Sequence, residues 1–206
     1  MWTWETIQTW TRETITRFGV EVGVYTSGEW RIEVAARASI GYGASIGDGA
    51  SIGDWASIGD WASIGDGARI GDGARIGYGA SIGYWASIGD WASIGDWASI
   101  GDWASIGDGA SIGDGARIGD GARIGKDDRF LCIGPLGSRN AMLTIVQTKD
   151  GIQCHTGCFN GSIERFRDAV AKTHGENEHA RAYMAALAFA EAHYRSRVGV
   201  RVEGRS

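Results

Sequence analysis

The chain contains few of the residues that interrupt or cross-link regular structure. It has one Pro, Pro135, and three Cys among 206 residues. Its apolar runs are too short to cross a membrane, and its N-terminus lacks the basic and apolar regions of a signal peptide. So few cysteines suit a reducing compartment. These features predict a cytoplasmic protein without a membrane segment.

Histidine is missing from the middle of the chain, and basic residues are scarce there. All four His, at positions 155, 174, 179 and 193, lie near the C-terminal end. Residues 38–125 carry eleven Asp against four Arg, whereas residues 126–206 carry twelve basic and nine acidic groups. The net charge of −5 therefore combines an acidic middle with a mildly basic end.

Glycine is abundant, and it follows a strict pattern. The 34 Gly would indicate low complexity, but Ile recurs at every sixth position from Ile40 to Ile124. The repeating unit is Ile-Gly-Asp-(Gly or Trp)-Ala-(Ser or Arg). A period of six fits neither an α-helix nor a hairpin. It is typical of a parallel β-helix, in which each unit supplies one side of a coil.

The unit is similar to the hexapeptide-repeat pattern, an aliphatic residue followed four positions later by a small one. Residues 38–125 therefore resemble the left-handed parallel β-helix family, in which three hexapeptides form one triangular coil. The resemblance implies about five coils and the left hand. We expect Ile ladders starting at Ile40, Ile46 and Ile52, with Ala also facing inward. Gly after each Ile is expected where a Cβ would clash.

The flanking segments differ in composition from the repeats. Trp4 to Phe18 has helical spacing, and the alternating segments 20–24 and 30–34 predict a hairpin that feeds the first coil. Later, Asp150-Gly151 predicts a second hairpin, and Ser162 and Asn177 are candidate N-caps of two helices. We predict a mainly β chain with an N-terminal helix and hairpin cap (1–37), a β-helix (38–126), a small ββαα domain (127–195) and a basic tail (196–206).

Part of the predicted ββαα domain resembles a small domain of unknown function found in phage and prophage proteins. The similar segments are Ile133–Asn140, Asp150–Ile152, Gly157–Phe159 and Thr173–Asn177. The resemblance implies a phage-encoded chain in a bacterial host, and it carries no activity with it.

The hexapeptide resemblance also implies candidate activities. Many such proteins are acyltransferases that use a His near a coil edge and bind an acyl carrier between subunits, and others are carbonic anhydrases with a three-His zinc site. Here the repeats contain no His, and no loop interrupts them. The prediction therefore leans against an enzyme, with no catalytic residue, cofactor or metal assigned.

Two clusters near the C-terminus have alternative interpretations. Cys132, Cys154, His155 and Cys158 could bind zinc, but buried thiols in a core are the preferred interpretation. A second set could bind an anion or small ligand if its loop and helix boundary meet, or could serve only turns and caps. That set is Ser138, Arg139, Asn140, His174 and Asn177.

Asp and Trp decorate the outer surface of the predicted coils. Asp54, Asp72, Asp90 and Asp108 form a column in which neighbouring charges repel by about 1 kcal/mol in water. They could accept backbone hydrogen bonds at turns or imitate nucleic-acid phosphates. The Trp side chains could lie over neighbouring Gly, contact another subunit, or stack on sugars or bases. These six residues are Trp55, Trp61, Trp85, Trp91, Trp97 and Trp103.

The leading hypothesis is a non-enzymatic, phage-associated structural or binding protein. It would present a rigid, acidic, Trp-decorated β-helix to a protein partner and self-associate as a homo-oligomer, with a trimer favoured. No membrane contact is expected, and the acidic array is not expected to bind nucleic acid. One alternative is an inhibitor that mimics DNA. Another is an acyltransferase-like enzyme that binds acyl-CoA or an acyl carrier and has a pocket including His174 or His155.

Overall fold

The computed structural model describes residues 1–17, 19–138, 140–157 and 159–198. The chain forms two compact units, Met1–Asp127 and Asp128–Ser206. The first contains a parallel β-helix of five coils, and the second contains a small antiparallel sheet with two helices. Among the described residues, no helix is long and apolar enough to cross a membrane. The predicted fold class is confirmed.

Each repeat of the first unit contributes one two-residue strand that ends in Ile. Strands 18 residues apart pair in parallel, as Ile70 does with Ile88, and they build three sheets with five repeat strands each. The predicted ladders are confirmed. The repeat strands of the first sheet are β5 (Ser39–Ile40), β8 (Ser57–Ile58), β11 (Arg75–Ile76), β14 (Ser93–Ile94) and β17 (Ser111–Ile112). Those of the second sheet are β6 (Ser45–Ile46), β9 (Ser63–Ile64), β12 (Ser81–Ile82), β15 (Ser99–Ile100) and β18 (Arg117–Ile118). Those of the third sheet are β7 (Ser51–Ile52), β10 (Arg69–Ile70), β13 (Ser87–Ile88), β16 (Ser105–Ile106) and β19 (Arg123–Ile124).

The interior of the coils is filled by Ile and Ala. Every repeat Ile after Ile40 is buried, and so is nearly every repeat Ala. Because side chains alternate along a strand, Ile and the Ala two positions before it both face inward, while the Ser or Arg between them faces out. The repeat pattern therefore encodes the core directly.

Two positions at each corner of the coil are restricted, the first by the space available and the second by its backbone conformation. A Cβ on Gly95, which follows Ile94, would lie 2.7 Å from the carbonyl carbon of Gly113 in the next coil. Two positions further on, the chain adopts positive φ, between 56° and 68° from residue 43 to 121, whether the residue is Gly or Trp. We call this second position the corner residue. The left-handed conformation of the six corner Trp is not evident from the sequence.

The N-terminal segment covers the open edge of the first coil. It contains β1 (Trp2–Thr3), α1 (Trp4–Ile7), β2 (Thr11–Arg17), β3 (Val20–Ser27) and β4 (Trp30–Ala35). β4 pairs in parallel with β7, and β1 pairs antiparallel with β6. The predicted hairpin of β3 and β4 is confirmed, and these pairings satisfy strand edges that would otherwise be open.

The helix predicted from Trp4 to Phe18 is wrong over most of its length. It ends at Ile7, and β2 pairs antiparallel with β3 along all seven of its residues. The reason is the β-branched composition of β2, with Thr11, Thr14 and Ile15 among its residues, which favours a strand over a helix. Phe18 lies outside the described residues.

The second unit is a four-stranded antiparallel sheet followed by two helices. Its elements are β20 (Arg129–Leu136), β21 (Ala141–Thr148), β22 (Gly151–Thr156), β23 (Phe159–Ser162), α2 (Ile163–His174) and α3 (Glu178–Val198). The predicted hairpin joins β21 to β22. The ββαα prediction missed β20, which Gly134 and Pro135 interrupt, and β23, which has only four residues. Helix α3 also continues to Val198, past the predicted start of the tail, and residues 199–206 lie outside the described part.

Side-chain caps start the two helices at the predicted N-cap residues. The Ser162 hydroxyl accepts a hydrogen bond from the Arg165 amide at 3.4 Å, and Asn177 Oδ1 accepts one from the Ala180 amide at 3.0 Å. A side-chain hydrogen bond with Ser162 lowers the pKa of Glu164. Gly175, with φ of 58°, ends α2. The helices pack on β21 and β22 through a core that includes Leu143, Ile145, Phe166 and Leu187.

Coil stacking predicts opposite outcomes for two glycines of the same column. Gly95→Ala should lower the free energy of unfolding by about 1–3 kcal/mol, because its Cβ would overlap the next coil. Gly113→Ala is the matched control, since nothing lies within 4 Å of its Cβ, and it should stay within about 0.5 kcal/mol of wild type. Urea denaturation measures both, and equal effects would contradict the stacking explanation.

Candidate functional site

A cleft in the second unit brings polar side chains to the rim of an apolar cavity. Its volume is about 300 Å³, at the lower end of the range typical of small-molecule sites. The lining comes from the loop after β20, the start of β21, the end of β22 with the turn that follows it, β23 and helices α2 and α3. These residues are Ser138, Ala141, Thr156, Gly157, Phe159, Phe166, Ala169, Val170, Thr173, His174 and Tyr183.

Aromatic packing shapes the cleft. The ring centroids of Phe159 and Phe166 are 4.9 Å apart, and those of Phe166 and Tyr183 are 5.3 Å apart in an edge-to-face arrangement. Tyr183 also lies against the loop at Gly137, where a Cβ would be 2.6 Å from the tyrosine Cε2 atom. Since Gly137 has φ of 69°, the loop can approach Tyr183 closely only with glycine there.

His174 is the imidazole of the cleft lining. It is the last residue of α2 and is half-buried, with its ring centroid 5.9 Å from that of Tyr183 and 5.7 Å from that of His179. The hydroxyls of Ser138, Thr156 and Thr173 belong to the same lining. This combination offers one imidazole and several hydroxyl groups beside an apolar surface.

The predicted ligand set is only partly assembled here. Ser138 and His174 line the same cleft, so the loop and the helix boundary do meet. Asn140 instead closes a turn, with its amide donating to the Gly137 carbonyl at 3.2 Å, and the Asn177 side chain caps α3. Arg139 lies outside the described residues.

Sequence reasoning missed the cleft residues Thr156, Phe159, Thr173 and Tyr183. Tyr183 packs in the core of the second unit. Nothing in the local pattern showed that its ring would also line a cavity.

Of the residues considered for zinc, Cys154 lies in the core of the second unit. Burial raises the pKa of the Cys154 thiol to about 12, so this side chain stays protonated at neutral pH and is a poor nucleophile. Cys132 Sγ lies 3.9 Å from the Thr144 hydroxyl, and His155 is buried on β22. Cys158 lies outside the described residues. Within the described ranges, no group of three or more His, Cys, Asp or Glu is placed to hold a metal ion.

The Asp columns serve the backbone of the coils. Asp72 Oδ1 accepts a hydrogen bond from the Asp54 amide at 2.7 Å, Asp90 from Asp72 at 2.8 Å, and Asp108 from Asp90 at 2.9 Å. Asp54 also pairs with Arg37, whose Nε donates at 2.9 Å. These charge-assisted bonds offset the repulsion between neighbouring carboxylates. They account for the columns without reference to a partner.

The corner Trp largely lie over the glycine of the preceding coil. A Cβ on Gly43, Gly67, Gly73 or Gly79 would lie within 2.7 Å of the ring of Trp61, Trp85, Trp91 or Trp97 respectively. Trp103 stacks on Trp85 at 5.7 Å, and Trp55 lies under the Arg37 guanidinium at 4.9 Å. All six side chains nevertheless stay 54–71% exposed.

Comparison with known families identifies the repeats. Residues 43–78 and 92–126 match the family model described as bacterial transferase hexapeptide (six repeats). No curated protein matches the chain. The match lies entirely within the coils, and it supports the predicted hexapeptide resemblance of that segment.

Three of the solved structures that are similar to this chain carry the name acetyltransferase or are described in complex with CoA. One is PerB from Caulobacter crescentus in complex with CoA and GDP-perosamine, at 27% identity over 49% of this chain and 50% of that one, with a TM-score of 0.44. Another is the acetyltransferase domain of PglB from Neisseria gonorrhoeae in complex with acetyl coenzyme A, at 21% identity over 46% and 54%, with a TM-score of 0.27. A third is serine acetyltransferase isoform 3 from Entamoeba histolytica in complex with cysteine, at 23% identity over 42% and 34%, with a TM-score of 0.29. The chain thus spans about half the length of PerB.

The prediction of a non-enzymatic structural or binding protein is contradicted by the family match. Residues 43–78 and 92–126 match a family model described as a bacterial transferase. The coils contain no His and no inserted loop. Their composition excludes a catalytic His within the coils, but not a site elsewhere in the chain. Of the alternatives, the acyltransferase-like enzyme is favoured over the DNA mimic.

The hydrogen-bond role of the Asp columns predicts a difference between two variants of Asp90. Asp90→Ala removes the acceptor of the Asp72 amide and should lower the free energy of unfolding by about 0.5–1.5 kcal/mol. Asp90→Asn keeps an oxygen acceptor and removes one repelling charge, so it should stay within about 0.5 kcal/mol of wild type. Chemical denaturation at low salt distinguishes them, and an Asn variant as unstable as the Ala variant would contradict this role.

Proposed function

We propose that the protein is an acyltransferase-like enzyme that uses an acyl-CoA donor. The observation that carries this proposal is the match of residues 43–78 and 92–126 to the bacterial transferase hexapeptide family. The fold supports it through a rigid β-helix in one unit and a cleft with one imidazole in the other.

His174 is the candidate general base. The coils contain no His, so a base of this type must come from residues 155–193. His155 is buried in the sheet, whereas His174 is half-buried and lines the cleft. An imidazole nitrogen can accept a proton and return it, which is the role of a general base. Tyr183 contacts the loop and lies beside His174, so it is a candidate positioning residue.

The proposed reaction transfers an acyl group from a thioester to an amine or a hydroxyl. The acceptor atom loses its proton to His174 and attacks the thioester carbonyl carbon. A new C–N or C–O bond forms, the C–S bond breaks, and the CoA thiolate takes the proton from His174. The hydroxyls of Ser138 and Thr156 line the cleft and are candidate donors to the carbonyl oxygen as negative charge develops there.

The size and lining of the cleft suit the acyl end of the donor. A cavity of about 300 Å³ is too small for a whole nucleotide cofactor, but it can hold a short acyl chain and the adjoining thioester. The rings of Phe159 and Phe166 offer an apolar surface to that chain, since burying apolar area stabilises binding.

Other sequence-based expectations stay predictions. They are the phage association of the second unit, the homo-oligomer with a trimer favoured, and the cytoplasmic location. The left hand of the β-helix is likewise implied by the family resemblance alone.

The proposal predicts that His174 is needed for transfer and not for donor binding. The full chain should bind acetyl-CoA, and it should release CoA thiol when amines from an amino-sugar and amino-acid panel are added. His174→Ala should reduce the rate of release about 10²–10⁴-fold while changing the dissociation constant for acetyl-CoA little. The assay follows free thiol spectroscopically, and calorimetry measures binding.

His193→Ala is the matched control, because His193 stacks on Phe189 and is not part of the cleft lining. It should transfer at the wild-type rate. Failure of the full chain to bind acetyl-CoA would contradict the proposed function. Wild-type transfer by the His174→Ala variant would contradict the assignment of the base.

A further inference from the structure

The six Trp of the repeats adopt a backbone conformation that disfavours large side chains. Their φ angles lie between 56° and 60°, whereas every other corner residue from 43 to 121 is Gly. The left-handed conformation costs a non-glycine residue roughly 1–2 kcal/mol. Glycine would occupy these corners more easily, so the Trp side chains require a separate explanation.

Packing explains only one face of each ring. The ring of Trp61 covers Gly43 and that of Trp97 covers Gly79, each so closely that a Cβ would lie 2.7 Å away. These two Trp are nevertheless 56% and 65% exposed. Each ring therefore lies against the coil below, while more than half of the side chain stays exposed to solvent.

One edge of the β-helix carries this arrangement twice. The rings of Tyr42 and Trp61 meet edge to face with centroids 5.5 Å apart, and those of Tyr78 and Trp97 are 5.1 Å apart. The second pair lies two coils from the first, about 9–10 Å along the axis. We call the four residues Tyr42, Trp61, Tyr78 and Trp97 the Tyr–Trp edge.

Hydrogen-bonding groups accompany the rings of the Tyr–Trp edge. Asp60 Oδ1 accepts the Tyr42 amide at 2.9 Å, and Asp96 Oδ1 accepts the Tyr78 amide at 2.8 Å. These bonds hold each carboxylate next to an aromatic ring. The tyrosine hydroxyls and the second carboxylate oxygens are groups that suit the hydroxyls of a ligand.

The charge of the surface selects the kind of ligand. With eleven Asp against four Arg, the repeats repel phosphate and sulfate groups, whose binding depends on Lys and Arg. A ligand of this edge must therefore present flat apolar faces to aromatic rings, hydroxyls to carboxylates, and no negative charge. Pyranose rings joined by β-1,4 links have these properties.

We propose that the Tyr–Trp edge binds a neutral, β-1,4-linked glycan. Trp61 and Trp97 each stack on the apolar C–H face of one sugar ring. Their separation of two coils is close to the length of a disaccharide unit, so the two Trp contact alternate sugars of one chain. The site lies on the repeats and is independent of the proposed acyl transfer.

Calorimetric titration of the full chain with cellohexaose and with chitohexaose tests this proposal. At least one should bind, and Trp61→Gly and Trp97→Gly should each weaken that binding about 10-fold. The double variant should weaken it about 100-fold if the two contacts are independent. Glycine is the residue that the same corner has in other coils, so these variants should keep the fold, which thermal unfolding checks.

Trp91→Gly is the matched control. Trp91 has φ of 58° and covers Gly73 in the same way, but it lies at another corner of the coil, where Asp72 takes the place of a tyrosine. It should bind the glycan as wild type does. Absence of binding to both hexasaccharides, equal loss in Trp91→Gly, or tighter binding of a heparin hexasaccharide would overturn the proposal. If the wild-type chain is a dimer and only the Trp61→Gly, Trp97→Gly double variant is a monomer, the Tyr–Trp edge binds a second copy of the chain and the glycan proposal is wrong.

Discussion

Hydrogen bonding between neighbouring coils, over 17 or 18 residues, is the constraint on which the first unit depends. The Gly71 amide donates to the Ile88 carbonyl at 2.8 Å, and the Arg69 amide donates to the Ala86 carbonyl at 2.9 Å. The Asp72 amide finds its acceptor in the Asp90 side chain. Each coil thus satisfies the backbone of its neighbour, and no coil is complete alone. The N-terminal strands β1 and β4 do the same for the first coil.

This stacking also determines what the surface can carry. Gly after each Ile lets the next coil approach closely. The positive φ of the corner residue is unstrained for Gly and carries a conformational free-energy cost for Trp. At most Trp corners, the corner residue one coil below is Gly, which has no side chain in the space that the ring occupies. Gly43 beneath Trp61 and Gly79 beneath Trp97 are examples. The aromatic surface and the acidic columns are therefore consequences of one repeating geometry. The chemistry proposed for the cleft belongs to the other unit, which has its own core.

Much of this fold could be predicted because a single period encodes both core and register. The ladders, the inward Ala and the Gly–coil contacts follow from Ile at every sixth position. The caps at Ser162 and Asn177 follow from local chemistry. The segment from Thr11 to Arg17 could not be predicted from spacing alone, because its apolar residues fit a helix while its partner strand β3 makes it a strand.

The candidate site was less predictable than the fold. Ser138 and His174 could be named as polar residues near turns, but their joint position depends on how α2 and the loop pack on the sheet. Tyr183 looked like an ordinary core residue and also lines the cleft. The left-handed backbone conformation of the corner Trp could not be predicted from the sequence, because a bulky residue rarely adopts it. Absence of His from the coils was informative about the coils only, and it led to the wrong function.

Paired deletions test the 18-residue register most directly. Removing residues 71–88 deletes one whole coil and joins Ile70 to Gly89, so all later Ile keep their inward positions. Removing residues 72–88 deletes one residue fewer and turns every later Ile to the opposite face. Far-UV circular dichroism with urea unfolding should show a cooperatively folded, less stable protein for the first deletion and loss of the β-helix for the second. Equal behaviour of the two deletions would contradict the account.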